Sequence, residues 1–213
     1  MKTRMKRLLG VVSVLTASGS MVAGPLDPPG PPAPTMKTLQ QVYDRLTPSD
    51  TCLDNVGTNR FVDCAATTLG TSNGTVKDMQ TGLIWLKNAN CFGLITWADA
   101  NIRAAALASG QCGLNDGSKA GDWRLPTLEE WEAMLLPGCY PFPGGPTIPD
   151  RTGTACYLTG NQWATNVQSN VYWSSTSNAN SPGDAWAMDL FSREVNGGTK
   201  TFNLYVWPVR GGK

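Results

Sequence analysis

The chain contains no histidine, which excludes Ser-His-Asp and Cys-His devices and removes the commonest general base. Carboxylates remain: Glu129, Glu130 and Glu132 stand close together. Glu130, however, follows Thr127 at the spacing of a capping box, in which the Thr hydroxyl accepts from the N–H of Glu130 while that carboxylate accepts from the N–H of Thr127. The other two are expected to face solvent. Six cysteines are present, Cys52, Cys64, Cys91, Cys112, Cys139 and Cys156. They lack a CxxC spacing and any histidine partner, so no metal is expected on them. An even count behind an export signal argues for three disulfides. Six cysteines allow fifteen pairings. Neighbours are expected to pair (Cys52 with Cys64, Cys91 with Cys112, Cys139 with Cys156), because each enclosed segment is rich in Gly, Asn or Pro and gains from closure. The GxxxxGK[ST] order of a phosphate loop is absent. Asn115, Asp116, Gly117, Ser118 and Asp122 offer oxygen ligands of the kind calcium takes, without the spacing of an EF-hand, and turn chemistry explains the same residues. No other cofactor and no enzymatic activity are expected.

Eight tryptophans are many for 213 residues. Trp85, Trp97, Trp123, Trp131, Trp173 and Trp207 fall inside patterned segments and are expected in the core, where a large ring buries much area. Trp163 lies instead in the polar stretch 160–170. Exposed aromatics among Asn, Asp and Ser suit sugar rings, which offer an apolar face together with hydroxyls. Trp163, Tyr172, Asp184, Trp186 and Arg193 are therefore the candidate ligand surface. Arg124 and Arg210 are expected to set the fold by laying their guanidinium groups on an aromatic or a carboxylate. Asn73-Gly74-Thr75 has the form of a glycosylation acceptor and is expected to be a turn.

The elements that must position these residues begin after an export segment. Lys2, Arg4, Lys6 and Arg7 precede an apolar run and small residues, a signal-peptide layout with cleavage expected after Ala23. Residues 1–23 hold four of the 17 basic residues and none of the 16 acidic ones, so the remainder carries a formal −3. That balance argues against nucleic acid as a partner. No membrane span is expected after cleavage, and the destination is the medium, the periplasm or the cell surface. Residues 24–50 open with GPLDPPGPPAP, a semi-extended spacer. A short amphipathic helix over 36–47 follows, through which an oligomer could form.

Residues 51–213 read as one α+β domain. Arg60–Cys64 and Thr75–Lys77 flank a turn region and suggest a hairpin. GLIWLK, Gly82 to Lys87, is a buried strand. Thr96 caps a helix from Trp97 to about Ala108 with Trp97, Ile102, Ala105 and Leu107 among its apolar positions. Thr127 starts a second helix at Leu128, with Leu128, Trp131 and Leu135 inward. Residues 137–169 form a long irregular loop, which in a compact domain is usually functional or stapled. Strands follow at 171–175, 185–190 and 202–209, with a hairpin turn at Asn196-Gly197-Gly198.

Six segments, TGLIWLKNANC, SGQCGLNDGS, GDWRLPTLEEWEAML, YWSSTS, NLYVWPVRGG and the helix after Thr96, together resemble the bacterial family named for the C-terminal domain of the Legionella collagen-like adhesin. The resemblance spans roughly residues 60–212. It implies a C-type-lectin-like fold, akin to the formylglycine-generating sulfatase modifiers: an antiparallel sheet with two helices and long disulfide-stapled loops. Trp123, Arg124, Pro126, Thr127, Glu130, Trp173, Trp207 and Arg210 are expected to be structural, and since the first and last strands usually lie side by side in such folds, the resemblance implies that Gly82–Lys87 pairs with Leu204–Arg210. Its function would be binding or adhesion, with a glycan or other cell-surface ligand as partner. An enzyme or enzyme accessory related to the sulfatase modifiers is the second reading, weakened because no cysteine follows Cys156. A structural envelope component is the third.

Overall fold

A computed structural model describes Cys52 and residues 57–65, 71–139, 145–158 and 160–212. The export segment, the Pro/Gly spacer and the helix expected over 36–47 lie outside the described residues. Strand β1 (Phe61–Ala65) and strand β2 (Ser72–Asp78) form the expected antiparallel hairpin, with Phe61 opposite Asp78. The tight turn after β2 is built by the buried Asp78 carboxylate, which accepts from the N–H of Gln80 and the hydroxyl of Thr81. Gly82 completes it at φ +77°, a conformation costly for any residue with a Cβ. Strand β3 (Leu83–Leu86) is buried along its whole length, as its uninterrupted apolar run requires.

Strand β4 (Leu94–Ile95) leads into helix α1 (Trp97–Ala106), which starts where Thr96 Oγ1 accepts from the N–H of Asp99. Of its expected apolar positions, Leu107 is buried and Trp97 half-buried, while Ile102 and Ala105 face outward. Ala100 and Ala104 are buried and Ile102 is 66% exposed. The small side chains let α1 approach the sheet around Trp173, a packing that the hydrophobicity of Ile102 does not reveal. Helix α2 (Leu128–Met134) carries the capping box with both of its hydrogen bonds. The helix ends before Leu135, so Trp131 and Met134 take the inner face while Leu128 and Leu135 stay half-buried.

Five further strands follow: β5 (Val171–Ser177), β6 (Asp184–Asp189), β7 (Val195–Thr199), β8 (Leu204–Tyr205) and β9 (Val209–Gly211). They complete two sheets, ordered β1-β2-β3-β9 and β4-β8-β5-β6-β7. Every pairing is antiparallel except β5 with β8. The expected α+β class holds, with two sheets in place of one. The expected pairing of an early strand with the last one is also present, Trp85 standing opposite Val209. The strand expected over 202–209 is split because Pro208 has no N–H to give to a ladder. The chain leaves one sheet after Tyr205 and enters the other at Val209.

Asn196, Gly197 and Gly198 lie inside β7 rather than in a turn. A Cβ at Gly198 would stand 3.0 Å from the Trp173 ring, so this glycine admits the indole. The reversal falls at residues 190–194. There the Asp189 carboxylate accepts from the N–H of Phe191 and the hydroxyl of Ser192, and Arg193 adopts φ +63°.

Most tryptophans form the core. Trp85 lies 5.2 Å from both Trp131 and Trp207, and Trp163 stacks on Trp207 at 5.2 Å and on Phe61 at 4.1 Å. Buried indole N–H groups need acceptors. Trp131, Trp163, Trp173 and Trp207 find them in the carbonyls of Trp173, Pro149, Ile95 and Leu86. Cysteines pair as neighbours, Cys52–Cys64, Cys91–Cys112 and Cys139–Cys156.

Candidate functional site

The structure divides the five residues of the expected ligand surface. Trp163 and Tyr172 are core residues, 1% and 0% exposed. The polar stretch around Trp163 folds over it, and its N–H is spent on Pro149 O at 2.9 Å. Tyr172 accepts at its hydroxyl from the N–H of Gln168, and burial pushes that hydroxyl well above the usual phenol range. Asp184 and Trp186 are half-buried and share one face of β6, as residues two apart must. Gly197 and Thr199 face them from β7. Arg193 sits at the opposite end of that hairpin, where it donates to Pro137 O at 3.0 Å. These five residues do not converge on one site.

The residues expected to set the fold do meet. Arg124 grips Glu130 through two hydrogen bonds of 2.7 and 2.6 Å and also donates to the carbonyls of Leu125 and Gly211. Burial works to raise the Glu130 carboxyl, but Arg124 and the Thr127 N–H overcome it and hold it below the usual carboxylate range. Pro126 O accepts from the N–H of Ser175, tying the start of α2 to β5. Arg210 pairs with Asp116 at 3.1 Å and lies over the ring of Trp123. Two of the oxygens considered for calcium bond within this loop. Asp116 Oδ1 accepts from the Ser118 N–H and hydroxyl, and Asp122 Oδ2 from the Lys119 N–H.

A concavity opens elsewhere, between the far end of the β2–β3 hairpin and the long loop. Ser72, Gly74, Lys87, Asn88, Cys112, Gly113 and Thr165 line a cleft of about 390 Å³. It shares Ser72 and Lys87 with a neighbouring hollow of about 280 Å³ that reaches Asp63. The larger volume falls within the range of small-ligand sites. Its walls are fixed by backbone bonds. Lys87 N–H donates to Gly74 O, Thr165 N–H to Lys87 O, and Ala89 N–H to Thr165 O, each within 2.9 Å. Gly113 packs so tightly on β2 that a Cβ at Gly74 would lie 2.3 Å from its carbonyl oxygen, and the Cys91–Cys112 disulfide anchors that wall.

Chemically the cleft offers hydroxyls and amides with one cation. Asn88 Oδ1 accepts from Asn166 Nδ2 and from the Asn90 N–H, which leaves Asn88 Nδ2 to donate elsewhere. Lys87 Nζ and Arg151 each hold one oxygen of the Asp63 carboxylate. Sequence reasoning did not single out Ser72, Lys87, Asn88 or Thr165. One signal was available: Lys87 and Asn88 follow a fully apolar strand and precede a cysteine, so they had to emerge at a stapled strand end. Asn73-Gly74-Thr75, expected as a turn, lies inside β2 instead, where Asn73 is buried and its Oδ1 accepts from the Thr75 N–H and hydroxyl.

The profile of the Lcl C-terminal domain matches residues 74–210. The chain belongs to the Lcl C-terminal domain family. No curated protein matches it. The matched span runs from β2 into β9, so the Lcl C-terminal domain supplies both helices, Lys87, Asn88, Gly113 and Thr165. Strand β1, Asp63 and the Cys52–Cys64 disulfide precede it. This is an adhesin-associated domain, and three disulfides suit an oxidising, extracellular or surface location.

Proposed function

We propose that this domain is an exported adhesion module that recognises a glycan or another hydroxyl-rich cell-surface ligand in the cleft between Ser72 and Thr165. The observation that carries the reading is the cleft's construction. Ser72, Thr165, Asn88 and Lys87, the last shared with the Asp63 carboxylate, line a concavity whose walls are held by backbone bonds and a disulfide. A wall fixed beforehand loses little entropy on binding, and amides and hydroxyls are the partners sugar hydroxyls require. Thr165 brings part of the long loop to this cleft.

Binding without turnover belongs to the same proposal. The side chains whose acidity is moved serve structure: Glu130 caps α2 and pairs with Arg124, Asp150 holds its own loop, and Tyr157 and Tyr172 lie in the core. None of them lines the cleft. The test is Ser72→Trp. Ser72 is exposed at the cleft mouth, so an indole there fills the cleft without disturbing the core. On a glycan array and on intact cells, the wild-type protein is expected to bind and Ser72→Trp to lose about tenfold or more in affinity. Equal binding by the two proteins would overturn the cleft as the site.

A further inference from the structure

Three features coincide at the cleft wall that carries Cys112. First, both Cys91 and Cys112 are half-exposed, whereas Cys52, Cys64 and Cys139 are buried, so each of the other two disulfides is shielded on at least one side. Second, Cys112 holds φ +52°, a left-handed conformation that strains a residue with a Cβ and persists only because its surroundings impose it. Third, Cys112 lines two hollows at once. One is the candidate ligand cleft. The other, of about 220 Å³, is lined by Phe92, Arg103, Ala106 and Gln111 besides Cys112, with a guanidinium and no carboxylate among them.

We infer that Cys91–Cys112 is a redox-labile disulfide that gates the ligand cleft, opened by an external dithiol. This rests on the cleft being the binding site. A thiolate of the dithiol attacks Cys91 Sγ, the Sγ–Sγ bond breaks, and its electron pair leaves on Cys112 Sγ. Arg103 stabilises that leaving thiolate, and a better leaving group speeds exchange. The second thiolate of the reductant then attacks its own sulfur in the mixed disulfide and releases Cys91 as thiolate. The two protons of the dithiol end on Cys91 and Cys112, and the reductant becomes a cyclic disulfide. Two electrons have passed to the protein. The wall is then free to relax at Cys112. Gly113 loses its fixed position against Gly74, and the hydrogen bond from the Asn115 N–H to Asn73 O, which secures the same segment to β2, weakens. The open form binds ligand less tightly because the cleft no longer has a preset shape.

The experiment titrates the full protein with dithiothreitol, traps free thiols with N-ethylmaleimide and maps the labelled peptides by mass spectrometry. Labels are expected on Cys91 and Cys112 first, with the other two disulfides closed and the circular dichroism unchanged. Arg103→Gln is expected to slow this first step about threefold. Opening of Cys139–Cys156 or Cys52–Cys64 first, or of all three together with unfolding, would overturn the inference. The order of opening is read without ligand and so stands apart from the binding proposal. A second protein, Cys91→Ser with Cys112→Ser, is expected to stay folded and to bind the glycan array about tenfold more weakly. If it is folded and binds as the wild type does, the disulfide does not gate the cleft, and the cleft keeps its proposed role.

Discussion

Glu130 serves two partners at once, the backbone N–H of Thr127 and the guanidinium of Arg124, and through Arg124 it reaches the carbonyl of Gly211. One carboxylate thus ties a helix start to the end of the last strand. Its folded acidity is stronger than that of the free side chain. Near neutral pH the group is ionised whether the chain is folded or not, and its contribution is complete. As pH falls through about 4.3, the unfolded chain takes up the proton first, and the contribution drains away until the folded group is protonated too. Glu130→Gln is expected to be less stable than wild type at pH 7 by about 1–2 kcal/mol. The gap should narrow as pH falls below about 4.3, as read by urea denaturation across the acid range up to neutral pH. A gap independent of pH would contradict the assignment. Trp163 sets the other residue-scale expectation. Stacked on Phe61 and Trp207 at 1% exposure, it is a core ring. Trp163→Ala should cost about 3–5 kcal/mol in the same denaturation experiment. A loss of binding with stability unchanged would restore it to the ligand surface.

At the scale of elements, the long loop is held by its own carboxylate. Asp150 Oδ1 accepts from the N–H of Gly153 and of Ala155 and from the Thr152 hydroxyl, while Oδ2 accepts from Asn161. Burial works against ionisation of Asp150, yet these bonds prevail and hold its carboxyl below the usual range. Asp150→Ala is expected to raise amide exchange at Gly153 and Ala155 at least tenfold, with Leu83–Leu86 unaffected, in hydrogen-exchange mass spectrometry. Unchanged protection would show that the Cys139–Cys156 bond alone holds the loop. Elements of this molecule were legible from sequence where local chemistry decides them. Thr127 with Glu130, the apolar run of β3 and the caps of both helices follow from hydrogen bonding and periodicity within a few residues. Reading failed where tertiary packing decides. Gly197 and Gly198 have the composition of a turn, but Gly198 is small because Trp173 occupies the space a side chain would need. Trp163 sits in a polar stretch, but that stretch is wrapped around it.

For the whole molecule, an early strand and the last strand close the first sheet. Val209 pairs with Trp85 and also exchanges backbone hydrogen bonds with Arg124, while Arg210 next to it reaches Asp116. Deleting residues 209–213 is expected to abolish cooperative unfolding and the near-ultraviolet tryptophan signal. Retention of both would show that β9 is peripheral. The same closure explains why the candidate site could not be read along the chain. Ser72, Lys87, Gly113 and Thr165 are far apart in sequence and meet only because two strands, a disulfide wall and the long loop are folded together. The central claim, that this Lcl C-terminal domain binds its surface ligand in that cleft, is tested most directly by mapping amide resonances of the labelled protein during titration with a glycan that scores on the array. The account predicts that the largest shifts fall on Ser72, Asn88, Gly113 and Thr165. Shifts confined to Asp184, Trp186 and Gly197 would contradict it and move the site to the outer face of the β6–β7 hairpin.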